Sequence, residues 1–392
     1  MTKQTIYIID DEQQTVDLIV EYAQLMGYQT SAYTEAETFF KETESFAEGS
    51  VMVLDLNMPI MDGIEVMRQM VSTGNILPLI LVSGYDSGIL HSAEQLAKAH
   101  SLEIIATLAK PFEFNVFENI LKKHSNVKKQ QGPRPELFMS VAELKIAISQ
   151  NQLVLHYQPQ IDIRSGALIG VESLVRWQHP QHGLIYPNSF ISLAENNGLI
   201  GILTSQVIKQ AMEQAFYWKS QKLVLQVSVN ISADNITTLS LPEQLSTMLD
   251  THQLDPTLLT LEITESTLMG ELVTSLDILT RLRMKGIELS IDDFGTGYSS
   301  LSQLYRMPFT ELKADQSFVI NMAHDDEARG IVKTCIMLGH ELKMQVVAEG
   351  VEDEQTLELL SEMGCDIAQG YYIARPMPAD ELIPWMKKRE KI

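Results

Sequence analysis

Acidic residues placed directly after apolar runs point to chemistry in two parts of this chain. Near the N-terminus, Asp10 and Asp11 follow Ile6-Tyr7-Ile8-Ile9, and Asp55 follows Val51-Met52-Val53-Leu54. Ser83 and Lys110 close two further apolar runs. Carboxylates crowded at one edge repel and hold their protons unless a hard cation such as Mg²⁺ balances them. A cation, a hydroxyl, a lysine and an aspartate together make a phosphoryl-transfer site with Asp55 as the nucleophile. One acidic strand end alone is an ordinary solvated turn; five functional side chains in strand order are not.

The pattern recurs later in the chain. Glu172, Asn230, Glu262, Asp292 with Asp293, Lys313, Glu349 and Gln369 each follow or lie within an apolar or β-branched run. Oxygen donors without thiolates or an ordered histidine set favour Mg²⁺ or Mn²⁺ over zinc or copper. A carboxylate that bridges two cations builds a site able to activate water and stabilise a leaving oxygen, which suits phosphodiester hydrolysis. Arg176 shares a strand face with Glu172 by the period of two, within reach of a phosphate held there. Lys313 is a candidate to orient or deprotonate the attacking water, with a structural salt bridge as its alternative. The stretch Asp293–Leu301 contains Gly295 and Gly297. Gly-x-Gly alone is weak evidence for phosphate binding, but beside an acidic pair it is expected to order the metal site. His156, His179 and His182 show no ligand spacing and are assigned to packing or the surface.

Elements must bring these residues together. Strand candidates near 5–9, 28–33, 51–54, 78–82 and 103–108 alternate with amphipathic helical stretches, which predicts a flavodoxin-like five-stranded parallel sheet over residues 1–124. Polar, turn-forming residues 125–137, with Gly132-Pro133-Arg134-Pro135 at their centre, read as a linker. Residues 138–392 have the length of a TIM-like (β/α)8 barrel, with strands near 153–163, 168–176, 223–230, 258–263, 287–291, 310–314, 344–348 and 365–369. The first two form a hairpin about Arg164-Ser165-Gly166, which predicts one antiparallel strand in the barrel. Successive strand ends of such a barrel converge on one face. Asp292 and Asp293, being adjacent, cannot both face inward in an ideal strand and are expected where the strand ends.

Of 392 residues, 45% are hydrophobic and 20% charged, as in ordinary globular proteins. The net charge is −22, divided as −11 over residues 1–124 and −13 over residues 138–392. Both halves lack the basic balance of a nucleic-acid polymer binder. Two cysteines, Cys335 and Cys365, make no disulfide framework, and neither a secretory leader nor a membrane-spanning apolar run is seen. A soluble cytoplasmic protein is expected.

Residues 1–124 resemble response-regulator receiver domains through Asp10-Asp11, the run Asp55-Leu56-Asn57-Met58-Pro59-Ile60-Met61-Asp62-Gly63, Ser83 and Lys110-Pro111-Phe112. The resemblance implies that Asp55 accepts a phosphoryl group from a sensor histidine kinase, with Asp10 and Asp11 holding one Mg²⁺ and with Ser83 and Lys110 at the phosphate. Thr107 stands where the family often has a switch aromatic, which departs from the usual route of transmission.

Residues 138–392 resemble the EAL-domain family of cyclic di-GMP phosphodiesterases. Tyr157-Gln158-Pro159, Glu172-Ser173-Leu174-Val175-Arg176-Trp177, Val229-Asn230-Ile231-Ser232 and Leu261-Glu262-Ile263-Thr264-Glu265 carry the likeness, followed by Asp292-Asp293-Phe294-Gly295-Thr296-Gly297, Leu312-Lys313-Ala314-Asp315, Glu349-Gly350-Val351-Glu352 and Gln369-Gly370. The family implies two Mg²⁺ or Mn²⁺ ions on Glu172, Asn230, Glu262, Asp292, Asp293 and Glu349, with Lys313 on the nucleophilic water and Glu349 as ligand or proton acceptor. Gln158, Leu174, Arg176, Asp315, Glu352 and Gln369 would contact substrate, Glu265 would anchor the glycine-containing loop, and the product would be linear pGpG. Ser173 and Ala314 replace the family's usual alanine and isoleucine without removing a ligand or a charge.

The resemblance implies a phosphorylation-regulated hydrolase that forms dimers or higher homo-oligomers. The alternatives are a non-catalytic cyclic di-GMP receptor and a receiver that serves only as an assembly module. No Gly-Gly-Asp-Glu-Phe signature is present, so synthesis of cyclic di-GMP is not expected.

Overall fold

The computed structural model describes residues 4–43, 46, 49–84, 87–100, 102–130, 139–265, 267, 272–296 and 301–389. The chain divides into two compact units, Met1–Glu136 and Leu137–Ile392.

In the N-terminal unit, β1 (Thr5–Ile9), β2 (Gln29–Tyr33), β3 (Val51–Asp55), β4 (Leu79–Ser83) and β5 (Ile104–Ala109) form a parallel sheet in the order β2-β1-β3-β4-β5. This is the flavodoxin-like order. Side-chain alternation sorts the strands into two cores: Tyr7, Ile9, Met52 and Leu54 pack on one face, and Ile6, Ile8, Val51 and Val53 on the other. Every residue of β3 and β4 is buried, as parallel strands covered on both faces must be.

The helix Phe114–Gln130 continues past His124, so the first part of the stretch expected as linker is helical. Nothing in Ser125–Gln130 breaks a helix; Gly132 and Pro133 come later. Residues 131–138 lie outside the described residues.

The C-terminal unit contains β6 (Leu153–Asp162), β7 (Leu168–His179), β8 (Gly183–Ile185), β9 (Gln226–Asn230), β10 (Leu259–Thr264), β11 (Glu288–Phe294), β12 (Glu311–Ala314), β13 (Gln345–Ala348), β14 (Ile367–Gln369) and β15 (Met377–Pro378). Strands β7 and β9 to β14 are parallel, and β6 closes the barrel between β7 and β14, antiparallel to both. Strands β8 and β15 attach to β7 and β6. Outward residues such as Val171, Val229, Leu261, Leu289, Leu312 and Val346 join the helices in one apolar core. Many inward residues are polar: Glu172, Glu262, Ser290, Glu311 and Lys313 are all buried. This alternation makes the outside of the barrel the source of cohesion and leaves its inside available for chemistry. Among the described residues, no helix is long and apolar enough to cross a membrane.

Candidate functional site

The first cluster occupies the carboxyl edge of the N-terminal sheet. Asp10 lies one residue past β1, Asp55 and Ser83 end β3 and β4, and Lys110 follows β5. Lys110 Nζ is 2.8 Å from Asp10 Oδ2 and 2.9 Å from Asp55 Oδ2, while its backbone N–H donates to Ser83 O at 2.8 Å. Burial, with Asp55 adding charge, raises the Asp10 pKa against the hydrogen bond from Lys110. Burial works against the Lys110 charge too, but its hydrogen bonds to Asp10 and Asp55 raise its pKa. One carboxylate oxygen each from Asp10, Asp11 and Asp55 lie within 4.8 Å of one another, a donor set that fits a hard cation.

The second cluster lies at the carboxyl ends of the parallel barrel strands. Asn230 Nδ2 donates to Glu172 Oε1 at 2.8 Å and to Glu262 Oε2 at 3.0 Å. Gln369 Nε2 donates to the other oxygen of Glu172 and to Gln158 Oε1 at 3.2 Å. Lys313, with 0% of its side chain exposed, stands among four carboxylates: Nζ is 2.6 Å from Glu349 Oε1, 3.0 Å from Glu262 Oε1, 3.3 Å from Asp292 Oδ1 and 3.8 Å from Glu172 Oε2.

One amine does not balance this ring. Burial, reinforced by Asp292, pushes Glu349 up to about 8 and Asp293 up to about 7, and burial also lifts Glu262 well above the usual carboxylate range. Glu172 is held low, because Lys313 and its amide partners outweigh burial. Burial opposes the charge on Lys313, yet the surrounding carboxylates raise its pKa well above the ordinary value. Lys313 is therefore an ammonium suited to orienting a ligand, and the condition for acting as a base, a lowered pKa, is not met without cations.

Asp292 and Asp293 lie at the end of β11, directly before its last residue, Phe294. The pairing of β11 with β12 shifts between Ile291 and Phe294, and Asp293 has φ +55°. The bulge lets neighbouring carboxylates approach one point, which plain alternation forbids. Oxygens of Asp292, Asp293 and Glu349 lie within 4.8 Å of one another, and Glu262 Oε1 is fully buried beside the Lys313 ammonium at 3.0 Å. Excess buried negative charge and an all-oxygen donor set fit divalent cations. Next along the chain, Gly295 has φ +103°, open to glycine, and its N–H donates to Glu265 Oε2 at 3.2 Å. Gly297 lies outside the described residues.

Gln158, Leu174, Glu352 and Gln369 line a cavity of about 250 Å³ with Glu172 and Glu349. Arg176 and Asp315 do not line it. The Arg176 guanidinium sits 5.0 Å from the centre of the Tyr186 ring and donates to Val175 O. Asp315 caps the helix Gln316–Val319 and adds its charge to that pressing on Asp293. Sequence reasoning missed Gln316 and Tyr371 in the cavity wall, and Gln160, whose Nε2 donates to Gln369 Oε1 at 2.9 Å. The period-two relation between Gln158 and Gln160 was the available signal for the last.

Comparisons with known proteins follow the division of the chain. The family model of the EAL domain matches residues 141–376, and that of the response regulator receiver domain matches residues 6–122. The bifunctional diguanylate cyclase/cyclic di-GMP phosphodiesterase MucR of Pseudomonas aeruginosa is 44% identical over 242 residues, 62% of this chain and 35% of MucR. The chain thus spans about a third of that relative's length. The cyclic di-GMP phosphodiesterase RocR of the same organism is 31% identical over 346 residues, 87% of this chain and 88% of RocR. The solved structure of the MucR phosphodiesterase in complex with c-di-GMP superposes with a TM-score of 0.60, covering 62% of this chain and 98% of that one.

Proposed function

The chain belongs to the EAL domain family and carries a response regulator receiver domain, and we propose that it hydrolyses cyclic di-GMP to linear pGpG under the control of phosphorylation at Asp55. The strongest support is the ring of Glu172, Glu262, Asp292 and Glu349 around the buried Lys313, with Asn230 bonded to Glu172 and Glu262, opening on a cavity. That RocR, a cyclic di-GMP phosphodiesterase, matches along most of both chains supports the same reading.

Glu172, Asn230, Glu262, Asp292, Asp293 and Glu349 would hold two Mg²⁺ or Mn²⁺ ions. Bound there, the ions would supply an acidified water and charge neutralisation at the phosphoryl oxygens. Lys313 would orient the water with its N–H donors. Glu349, whose carboxyl is raised to about 8, would serve as a ligand or take the water proton. The water oxygen bonds to phosphorus, the P–O3′ bond breaks, and a proton ends on the 3′ oxygen, leaving a 5′-phosphorylated linear dinucleotide. Gln158, Leu174, Glu352 and Gln369 would contact substrate from the cavity wall, and Arg176 and Asp315, which do not line it, would contact substrate beyond it. Glu265, through Gly295, would keep Asp293 in place.

In the receiver, Asp55 would take a phosphoryl group from a sensor histidine kinase, with Mg²⁺ on Asp10 and Asp11 and with Ser83 and Lys110 at the phosphoryl oxygens. A cytoplasmic homo-oligomer is the expected working form. The decisive experiment is incubation of the purified protein with cyclic di-GMP and Mg²⁺ beside Glu172→Ala. Conversion to pGpG that is lost in the variant is expected; saturable binding without conversion would make the barrel a receptor.

A further inference from the structure

We propose that Gln160 is a positioning residue: its amide N–H fixes which way the Gln369 amide points, and through Gln369 it fixes the Glu172 carboxylate. Calling Glu172 a metal ligand rests on the phosphodiesterase reading; the hydrogen-bond chain stands independently of it.

Strand β6 runs against both of its neighbours, so its inward residues go deeper where theirs approach the mouth. Gln158 is in register with Glu172, and Gln160 with Gly170 on one side and Gln369 on the other. Gln160 is 3% exposed. A carboxamide has a donor end and an acceptor end of nearly equal shape, so its partners alone decide its orientation. The nitrogen of Gln369 faces two acceptors, Glu172 Oε2 and Gln158 Oε1, and its oxygen faces the nitrogen of Gln160. Turning Gln369 over would set oxygen against oxygen at Glu172 and Gln158 and nitrogen against nitrogen at Gln160. Gln158 is itself oriented, since its nitrogen donates to Ala374 O at 3.3 Å.

Space for this arrangement comes from Gly170. A Cβ there would lie 3.0 Å from Gln160 Oε1 and 3.0 Å from Gln226 O. With Asn230 on Oε1 and Gln369 on Oε2, both oxygens of Glu172 are tied, which fixes the plane of the carboxylate. Partners of this kind typically change metal affinity about 10- to 100-fold when removed.

The test is titration of Mn²⁺ against the full chain, with free ion followed by electron paramagnetic resonance, for wild type, Gln160→Met, Gln369→Met and the double variant. Melting temperatures without metal are measured alongside. Gln160→Met is expected to weaken Mn²⁺ binding about tenfold or more, and the double variant to bind no more weakly than Gln369→Met, because Gln160 acts through Gln369. Turnover of Gln160→Met should recover as Mn²⁺ is raised. Wild-type Mn²⁺ affinity in a folded Gln160→Met, or additive losses in the double variant, would overturn the proposal. Should the methionine variant not fold, Gln160→Ala removes the amide donor without adding an acidic proton and must show the same weakening. A wild type that binds Mn²⁺ yet leaves cyclic di-GMP intact defeats the phosphodiesterase reading, while the affinity series still decides the role of Gln160.

Discussion

Lys313 Nζ and Glu349 Oε1 are 2.6 Å apart, with the lysine side chain 0% and the glutamate side chain 15% exposed. A lysine in this position neutralises part of a buried acidic ring, so removing it leaves uncompensated charge. Lys313→Met should destabilise the metal-free protein by about 3–5 kcal/mol. Thermal unfolding in EDTA and in Mg²⁺ checks this: the cation should restore more stability to the variant than to wild type, with turnover remaining low. Equal melting temperatures in EDTA would contradict the charge-balancing role.

The raised carboxyls set a pH dependence with a definite sign. Asp293 titrates at about 7 and Glu349 at about 8 in the folded, metal-free protein, against ordinary values of 3.8 and 4.5. Between those limits the folded state binds more protons than the unfolded one, so these two groups lower stability as pH rises, and the loss is complete above the folded pKa values. Melting temperatures of the metal-free protein should therefore fall from about pH 5 to about pH 8 and flatten when Mg²⁺ replaces the protons. Calorimetry in buffers of different ionisation enthalpy should show protons released on metal binding near neutrality and fewer at higher pH. A metal-free melting temperature that climbs across this range would refute the assignment.

Glu265 accepts from the backbone N–H of Gly295, the residue that follows β11. Glu265→Ala is expected to weaken Mg²⁺ or Mn²⁺ binding and slow turnover by about 10- to 100-fold, as removal of a residue supporting a ligand does. Metal titration beside turnover measures it. Unchanged values in both would remove Glu265 from the machinery.

At the other site, a small phosphodonor with Mg²⁺ should place alkali- and hydroxylamine-labile phosphate on wild type and not on Asp55→Asn. Phosphorylation is expected to alter turnover at matched oligomeric state, and Asp55→Asn to abolish that response. Equal turnover would make the receiver an assembly module.

The main strands were legible because apolar alternation against the helices and a polar residue at the carboxyl end occur together, as in Leu259-Thr260-Leu261-Glu262. Clustering of Asp10, Asp55 and Lys110 followed from strand order alone. Strands β8 and β15 were not legible, since runs of three and two residues carry no period. The left-handed turn at Asp293 was hidden as well, because aspartate tolerates that conformation without requiring it. The charge state of Lys313 depends on how many carboxylates the fold places around it, and the polarity of Gln160 on an amide far away in sequence. Neither is a local property.

Strand β6 also constrains how the gene can change. Gln158 and Gln160 point inward, while Tyr157, next before Gln158, points out to the helix layer and meets Trp218 edge to face at 4.8 Å. Loss or gain of one codon between His156 and Gln160 would exchange inside for outside along one end of the strand, turning an aromatic ring or an apolar neighbour towards the carboxylates. Such frame-preserving insertions and deletions should be purged from this hairpin except at its tip, around Ser165 and Gly166, where the backbone is exposed and added length disturbs no register.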